Sequence, residues 1–283
     1  MPKEGWRFID TGINDGFLNM AIDEVILDAH LKGFCPPTLR VYRWSPPALS
    51  LGYFQNLERE IEMKRCFELG IDVVRRLSGG QAVFHHDELT YSVVTSEEYG
   101  FPQSVAKSYR LLSGGLIAAY GMLGLEVCLT AHPGEPSSAA CFSSAGLTDL
   151  TFQGRKLSGS AQFRRGKALL QHGSLPISLD LQLFFSILKF PSNAIRDKAQ
   201  THFGQKATTI SEILGNMISW QELKEALFKG FQISLGIKFY EDTLTPEEFD
   251  LSRKLAREKY KAFGWNYNGT YETSLVNKTV SRR

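Results

Sequence analysis

A chain of 283 residues with 43% hydrophobic content can bury one large core. Its 32 basic and 30 acidic residues leave a net charge of +2, which argues against a dedicated nucleic-acid binder. No apolar run of about 18 residues is present, and Met1-Pro2-Lys3-Glu4-Gly5-Trp6 has no apolar signal core, so neither a membrane span nor export is expected.

Trp6 to Asp10 reads as a short strand. Asn14-Asp15 offers caps for a helix running to about Leu31, with Leu18, Ala21, Ile22, Val25 and Ala29 on one face. Leu39 to Trp44 and Ala48 to Tyr53 read as strands separated by Pro46-Pro47. Asn56 caps an expected helix from Leu57 to Leu69, with Gly70 as its stop. Ile71 to Arg76 is a strand and Leu77-Ser78-Gly79-Gly80 a loop. Gln81 to His85 and Leu89 to Thr95 are expected to pair as a hairpin around His86-Asp87-Glu88. Arg75 and Arg76 before a Ser-Gly-Gly loop suit a phosphate, carboxylate or carbonyl oxygen, although a strand end with a flexible turn has the same composition. His85 and His86 flank a carboxylate, but nothing else has metal-ligand spacing, and no metal is expected.

Ser104 to Leu123 is a long helix with a small-residue face of Gly114, Gly115, Ala118 and Ala119, read as close packing on a sheet. Asp149 to Phe152, then Arg155 onward, then Ala168 onward form a meander with turns at Gln153-Gly154 and Arg165-Gly166-Lys167. Lys156 then lies opposite Thr151. Gly159 and Ser160 pack poorly within a strand and mark a close approach of ligand or backbone. The last third reads as helix after helix. Capping-box spacing recurs at Thr209…Glu212, Ser219…Glu222 and Thr245…Glu248, and the chain loses its pattern from about Asn266. The sum is an α+β fold, with a mixed, largely antiparallel sheet flanked by helices and a small helical end.

The four cysteines form no Cys-x-x-Cys pair, and a cytoplasmic setting is expected. A lone intracellular cysteine is usually a small buried hydrophobe, the reading given to Cys35, Cys66 and Cys128. Cys141 differs, since it sits among Ser, Ala and Gly with Lys156 following. A free thiol has a pKa of about 8.5, and a nearby ammonium raises its thiolate fraction. The pairing requires the chain to fold back between 141 and 151, with Ala145-Gly146 as the expected bend.

Several blocks together resemble the lipoate–protein ligase and octanoyltransferase superfamily. They are Arg75-Arg76-Leu77-Ser78-Gly79-Gly80-Gln81-Ala82-Val83-Phe84-His85, Glu88-Leu89-Thr90-Tyr91-Ser92-Val93, Gly154-Arg155-Lys156-Leu157-Ser158-Gly159-Ser160-Ala161-Gln162 and Gln171-His172-Gly173-Ser174. Cys141-Phe142 ahead of Gly-Arg-Lys, with Gln-His-Gly later, is most similar to the LipM-type octanoyltransferases. Ser143-Ser144 and Gln81 depart from the usual pattern.

The resemblance implies a biotin/lipoate ligase catalytic domain, taken as residues 1–240, with a helical extension and tail over 241–283. It implies Cys141 as acyl-thioester nucleophile and Lys156 as the group that lowers its pKa. The expected substrate-binding set is Arg75, Arg76, Ser78, Gly79, Gly80, His85, Gly159, Ser160, Ala161 and His172. Amides near Ser78-Gly79-Gly80 or near Gly159-Ser160 would hold the oxyanion. The implied donor is octanoyl-acyl carrier protein, and the implied acceptor a lysine of a lipoyl-accepting protein such as glycine cleavage H protein. No cofactor is called for. The rival readings are an ATP-dependent lipoate ligase, a lipoyl or octanoyl amidotransferase, and a non-catalytic lipoyl-domain binder, which has no need of a nucleophile.

Overall fold

A computed structural model describes residues 5–129 and 149–269. The first half holds β1 (Trp6–Asn14), α1 (Gly16–Leu31), β2 (Thr38–Trp44), β3 (Ala48–Leu51), α2 (Leu57–Glu60), α3 (Met63–Glu68), β4 (Asp72–Arg75), β5 (Val83–His85), β6 (Asp87–Ser96), α4 (Val105–Met122) and β7 (Cys128–Leu129). The second half holds β8 (Leu150–Phe152), β9 (Arg155–Arg165), β10 (Ala168–Ser178), α5 (Leu181–Ser186), α6 (Asn193–Lys206), α7 (Ile210–Leu214), α8 (Trp220–Leu235), β11 (Phe239–Asp242), α9 (Pro246–Leu255) and α10 (Phe263–Asn268).

Among the described residues the strands make two sheets. The larger has eight strands in the order β11-β1-β2-β6-β10-β9-β8-β7, and the smaller has the order β4-β3-β5. β1 runs parallel to both β11 and β2, while the pairs from β2 through β7 are antiparallel. The fold is therefore α+β, with a mixed, largely antiparallel sheet and flanking helices.

Local chemistry sets the element ends. The Asp15 carboxylate accepts from the Leu18 amide and starts α1. Ser219 and Thr245 each form a full capping box, with Glu222 and Glu248, and Pro246 opens α9. At α7 only half of the expected box forms. Thr209 accepts from the Glu212 amide, but the Glu212 carboxylate turns to Arg155 at 2.7 Å.

Five expectations are corrected. β5 and β6 do not form a hairpin, because β5 pairs with β3 in the small sheet while β6 lies between β2 and β10 in the large one. The helix expected over 57–69 breaks at Ile61, which bridges to Leu188, buries fully, and divides α2 from α3. The small face of α4 packs on a helix, not a sheet. A methyl group on Gly115 would stand 2.7 Å from the Phe231 ring of α8, and one on Gly230 would stand 2.5 Å from the Gly115 carbonyl oxygen. Finally, β11 interrupts the helical last third, and α10 gives structure to residues expected to be unpatterned.

The C-terminal helices are tied to the rest by buried charge. Arg7 of β1 makes two bonds, 2.9 and 2.7 Å, to the Glu248 carboxylate of α9. No helix among the described residues is long and apolar enough to cross a membrane.

Candidate active site

The meander brings the two small-residue stretches side by side. Gln153 and Gly154 both take positive φ, 47° and 80°, and make the tight turn. Thr151 then faces Lys156, as its position in the hairpin predicts. One strand further, Gly159 faces Ser174, Ser160 faces Gly173 and Ala161 faces His172. A methyl group at Gly173 would stand 2.4 Å from the Ser160 Oγ and 2.8 Å from the Tyr91 ring, so only glycine fits there.

These strands wall a narrow cavity between the two sheets. Arg76, Gly80, Val83 and His85 line it from the small-sheet side, and Gly159, Ser160, Ala161 and His172 from the large sheet. Met20, Tyr42 and Trp44 supply apolar wall. A larger cavity, about 520 Å³, adjoins it at Ser174, but none of the sequence-predicted site residues lines that one.

Two histidines face the narrow cavity, and each is held by a carboxylate behind it. Asp23 accepts from Arg40 at 2.6 Å, Ser92 at 2.7 Å, Tyr42 at 3.0 Å and the His172 Nδ1 at 3.4 Å. Burial alone would push the Asp23 carboxyl up, but the Arg40 guanidinium and His172 hold it below its usual range. An ionised carboxylate only accepts, so His172 carries its proton on Nδ1. Its Nε2 then accepts from the Ser78 hydroxyl at 2.6 Å. Burial lowers the pKa of His172 and keeps the ring neutral. His85 repeats the arrangement. Its Nδ1 donates to Glu88 at 2.7 Å, its Nε2 accepts from Ser50 at 2.7 Å, and its ring stacks on Trp44.

The adjacent arginines divide the work. Arg75 is 1% exposed, and its guanidinium donates to backbone carbonyls at Gly52, Tyr53, Gln55, Trp265, Asn266 and Tyr267. It clamps α10 to the loop after β3 and stands outside the cavity. Arg76 donates to the Gly79 and Gln81 carbonyls at 2.9 and 2.8 Å and to Ser50, and so holds the Gly-Gly loop closed. Both oxygen-seeking guanidiniums thus engage the protein's own carbonyls. Ser78 stands behind the wall, bonded to His172, and Gly79 is half-buried in its loop outside the lining.

Lys156 is 2% exposed, and its ammonium lies 2.8 Å from the Asp149 carboxylate. A methyl group on Gly159 would come within 3.3 Å of the Nζ and 3.4 Å of the Asp149 Oδ1. The ion pair is therefore separated from the cavity by a strand with no side chain at that point. Cys141 and the bend expected at Ala145-Gly146 lie outside the described residues. Burial pushes the Cys35 and Cys66 thiols up to about 11, which suits inert cysteines. Among the described residues no cluster of three or more His, Cys, Asp or Glu side chains could hold a metal ion.

Sequence reasoning missed Asp23, Ser50 and Asp149. Asp23 carried a signal, as a charged residue within the apolar run Met20–Leu27 of α1. Ser50 and Asp149 carried none, because their partners are fixed only by the fold.

Residues 15–232 match the lipoyl protein ligase A/B catalytic domain. A protein of Geobacillus kaustophilus named octanoyltransferase LipM is 41% identical over 276 residues, covering 94% of this chain and 99% of its own. Its namesake from Bacillus subtilis is 38% identical, with the same coverage of 94% and 99%. Among solved structures, a bipartite lipoate protein ligase from Thermoplasma acidophilum, described with its E2 lipoyl domain, superposes with a TM-score of 0.80 at 27% identity, over 96% of this chain and all of that one. A lipoate-protein ligase A bound with ATP gives a TM-score of 0.76 at 29% identity, over 93% of this chain and 98% of that one.

Proposed function

The chain belongs to the lipoyl protein ligase A/B catalytic-domain family, as an octanoyltransferase of the LipM type, and from that premise we propose a two-step transfer through Cys141. In the first step the Cys141 thiolate attacks the carbonyl carbon of octanoyl-acyl carrier protein. The carrier's pantetheine thiolate leaves and takes up the proton that Cys141 gave away. In the second step a neutral lysine amine of a lipoyl-accepting protein, such as glycine cleavage H protein, attacks the Cys141 thioester. The Cys141 sulfur leaves as a thiolate and takes up the proton that the new amide nitrogen loses. Thioester exchange is nearly neutral and amide formation is downhill, so neither ATP nor a metal enters.

The observation that carries this reading is the buried Lys156 ammonium behind the Gly159 strand, against the wall of the narrow cavity. A positive charge there favours a thiolate brought beside it. The octanoyl chain lies in the narrow cavity, against Met20, Tyr42, Trp44 and Val83. Arg76, Gly80, His85, Gly159, Ser160, Ala161 and His172 contact it or its carbonyl, Ser78 holds His172 from behind, and Arg75 and Gly79 act from outside the cavity. A cytoplasmic enzyme fits this reading.

The test is transfer from octanoyl-carrier to an H-protein acceptor in the absence of nucleotide and Mg²⁺. The reading predicts full transfer under those conditions. Obligatory ATP, with pyrophosphate released from free lipoate, would replace it with the ligase reading.

A further inference from the structure

We propose that Asp149 is a positioning residue for the transfer, the counter-charge that keeps Lys156 protonated beside the acyl cavity; this rests on the reading of Lys156 given above. Three observations combine. The pair is short, 2.8 Å, and both side chains are buried, 3% and 7% exposed. It lies directly behind Gly159, whose missing side chain leaves 3.3 Å between a built methyl group and the Lys156 Nζ, and Gly159 itself lines the cavity. The hairpin is also irregular at this point, since Leu150 faces Ser158 while Thr151 faces Lys156. That bulge accompanies the approach of Asp149, the residue before β8, to the lysine.

Physical chemistry sets the role. An ammonium taken out of water without a compensating charge loses its proton instead of paying the desolvation cost. A neutral Lys156 would do nothing for a thiolate. A carboxylate at 2.8 Å keeps the proton on Nζ. A thiolate brought to the cavity wall would then feel a positive charge that the fold already holds in place.

The alternative is that Asp149 only mutes the lysine. The two roles predict opposite signs. The experiment follows the pH dependence of Cys141 alkylation by iodoacetamide, with the other cysteines replaced, together with octanoyl transfer, in Asp149→Asn, Asp149→Glu, Lys156→Met and the Asp149→Asn/Lys156→Met double variant. The proposal expects Asp149→Asn to raise the alkylation midpoint and slow transfer about tenfold for each pH unit of the rise. Asp149→Glu should restore most of both. The double variant should be no slower than Lys156→Met alone. If Asp149→Asn does not fold, as read by circular dichroism, the doubly neutral variant and Asp149→Glu still report, and Asp149→Glu behaving like Lys156→Met would overturn the proposal. A lower midpoint or faster transfer in Asp149→Asn would overturn it too. A midpoint that moves in no variant, Lys156→Met included, would instead overturn the underlying reading of Lys156.

Discussion

Among the described residues two lysines are buried against carboxylates, and they differ in what else surrounds them. Lys259 lies 2.7 Å from Glu24 and Lys156 lies 2.8 Å from Asp149, with every side chain at 7% exposure or less. Lys259 is shut in by protein, with its Nζ 4.0 Å from the Trp265 ring centre and Glu24 also bound by Tyr260 at 2.7 Å and by Arg165 at 3.0 Å. It joins the turn after α9 to α1 and to β9. Lys156 has a glycine strand and then the narrow cavity on one side. Pair length and burial do not separate a structural ion pair from a site. What differs at Lys156 is the cavity beyond a neighbour that has no side chain.

The largest effect expected is on stability. Lys259→Met leaves Glu24 without its main counter-charge and should cost about 3–5 kcal/mol in urea unfolding. It should leave the pH midpoint of Cys141 alkylation where it was. Lys156→Met should share some of the stability loss, but it alone should raise that midpoint. If Lys259→Met moves the midpoint as far as Lys156→Met does, the comparison breaks.

Arg75→Lys sharpens the comparison by loosening α10, whose Trp265 ring covers Lys259, while leaving Lys156 untouched. A single ammonium cannot span the carbonyls on α10 and on the loop after β3 as the guanidinium fork does. The expected loss is about 2 kcal/mol, read by unfolding, with proteolysis beginning near residues 263–268.

Acid should weaken the fold in two stages. Burial lowers the pKa of His30 and of His172, so the unfolded chain binds protons at these rings more readily than the folded one. Stability present above about pH 6.5 is then lost as pH falls. Burial would raise Glu24 and Asp23, but Lys259 and Arg40 respectively hold both below their usual range. Their contribution is complete above the unfolded carboxyl range and disappears as pH falls through their lower folded values. Glu24→Gln should flatten the second stage in a pH series of melting temperatures, and the first stage should remain.

Much of this fold was legible in the sequence because its signals are local. Asp15, Asn56, Ser219 and Thr245 cap the helices that they precede, and Gln153-Gly154 makes the turn that sets the register of Lys156. What was not legible depends on distant partners. β11 is four residues long and half-exposed, and it is a strand because β1 lies beside it, Trp6 against Phe239. Ile61 leaves its helix to pair with Leu188. β5 and β6 look like a hairpin, but β3 claims the first and β2 and β10 the second. The site divides in the same way. Its glycines, histidines and Lys156 stand out by type and spacing, whereas Asp149, Asp23 and Ser50 gain a role only when the sheets assemble.

The central claim is that the octanoyl group passes through Cys141. Intact mass after mixing with octanoyl-carrier tests it most directly. The account predicts a gain of one octanoyl group, removed by hydroxylamine, absent in Cys141→Ala and retained in Cys35→Ala, Cys66→Ala and Cys128→Ala. An adduct that persists in Cys141→Ala, or rapid transfer by that variant, would contradict it.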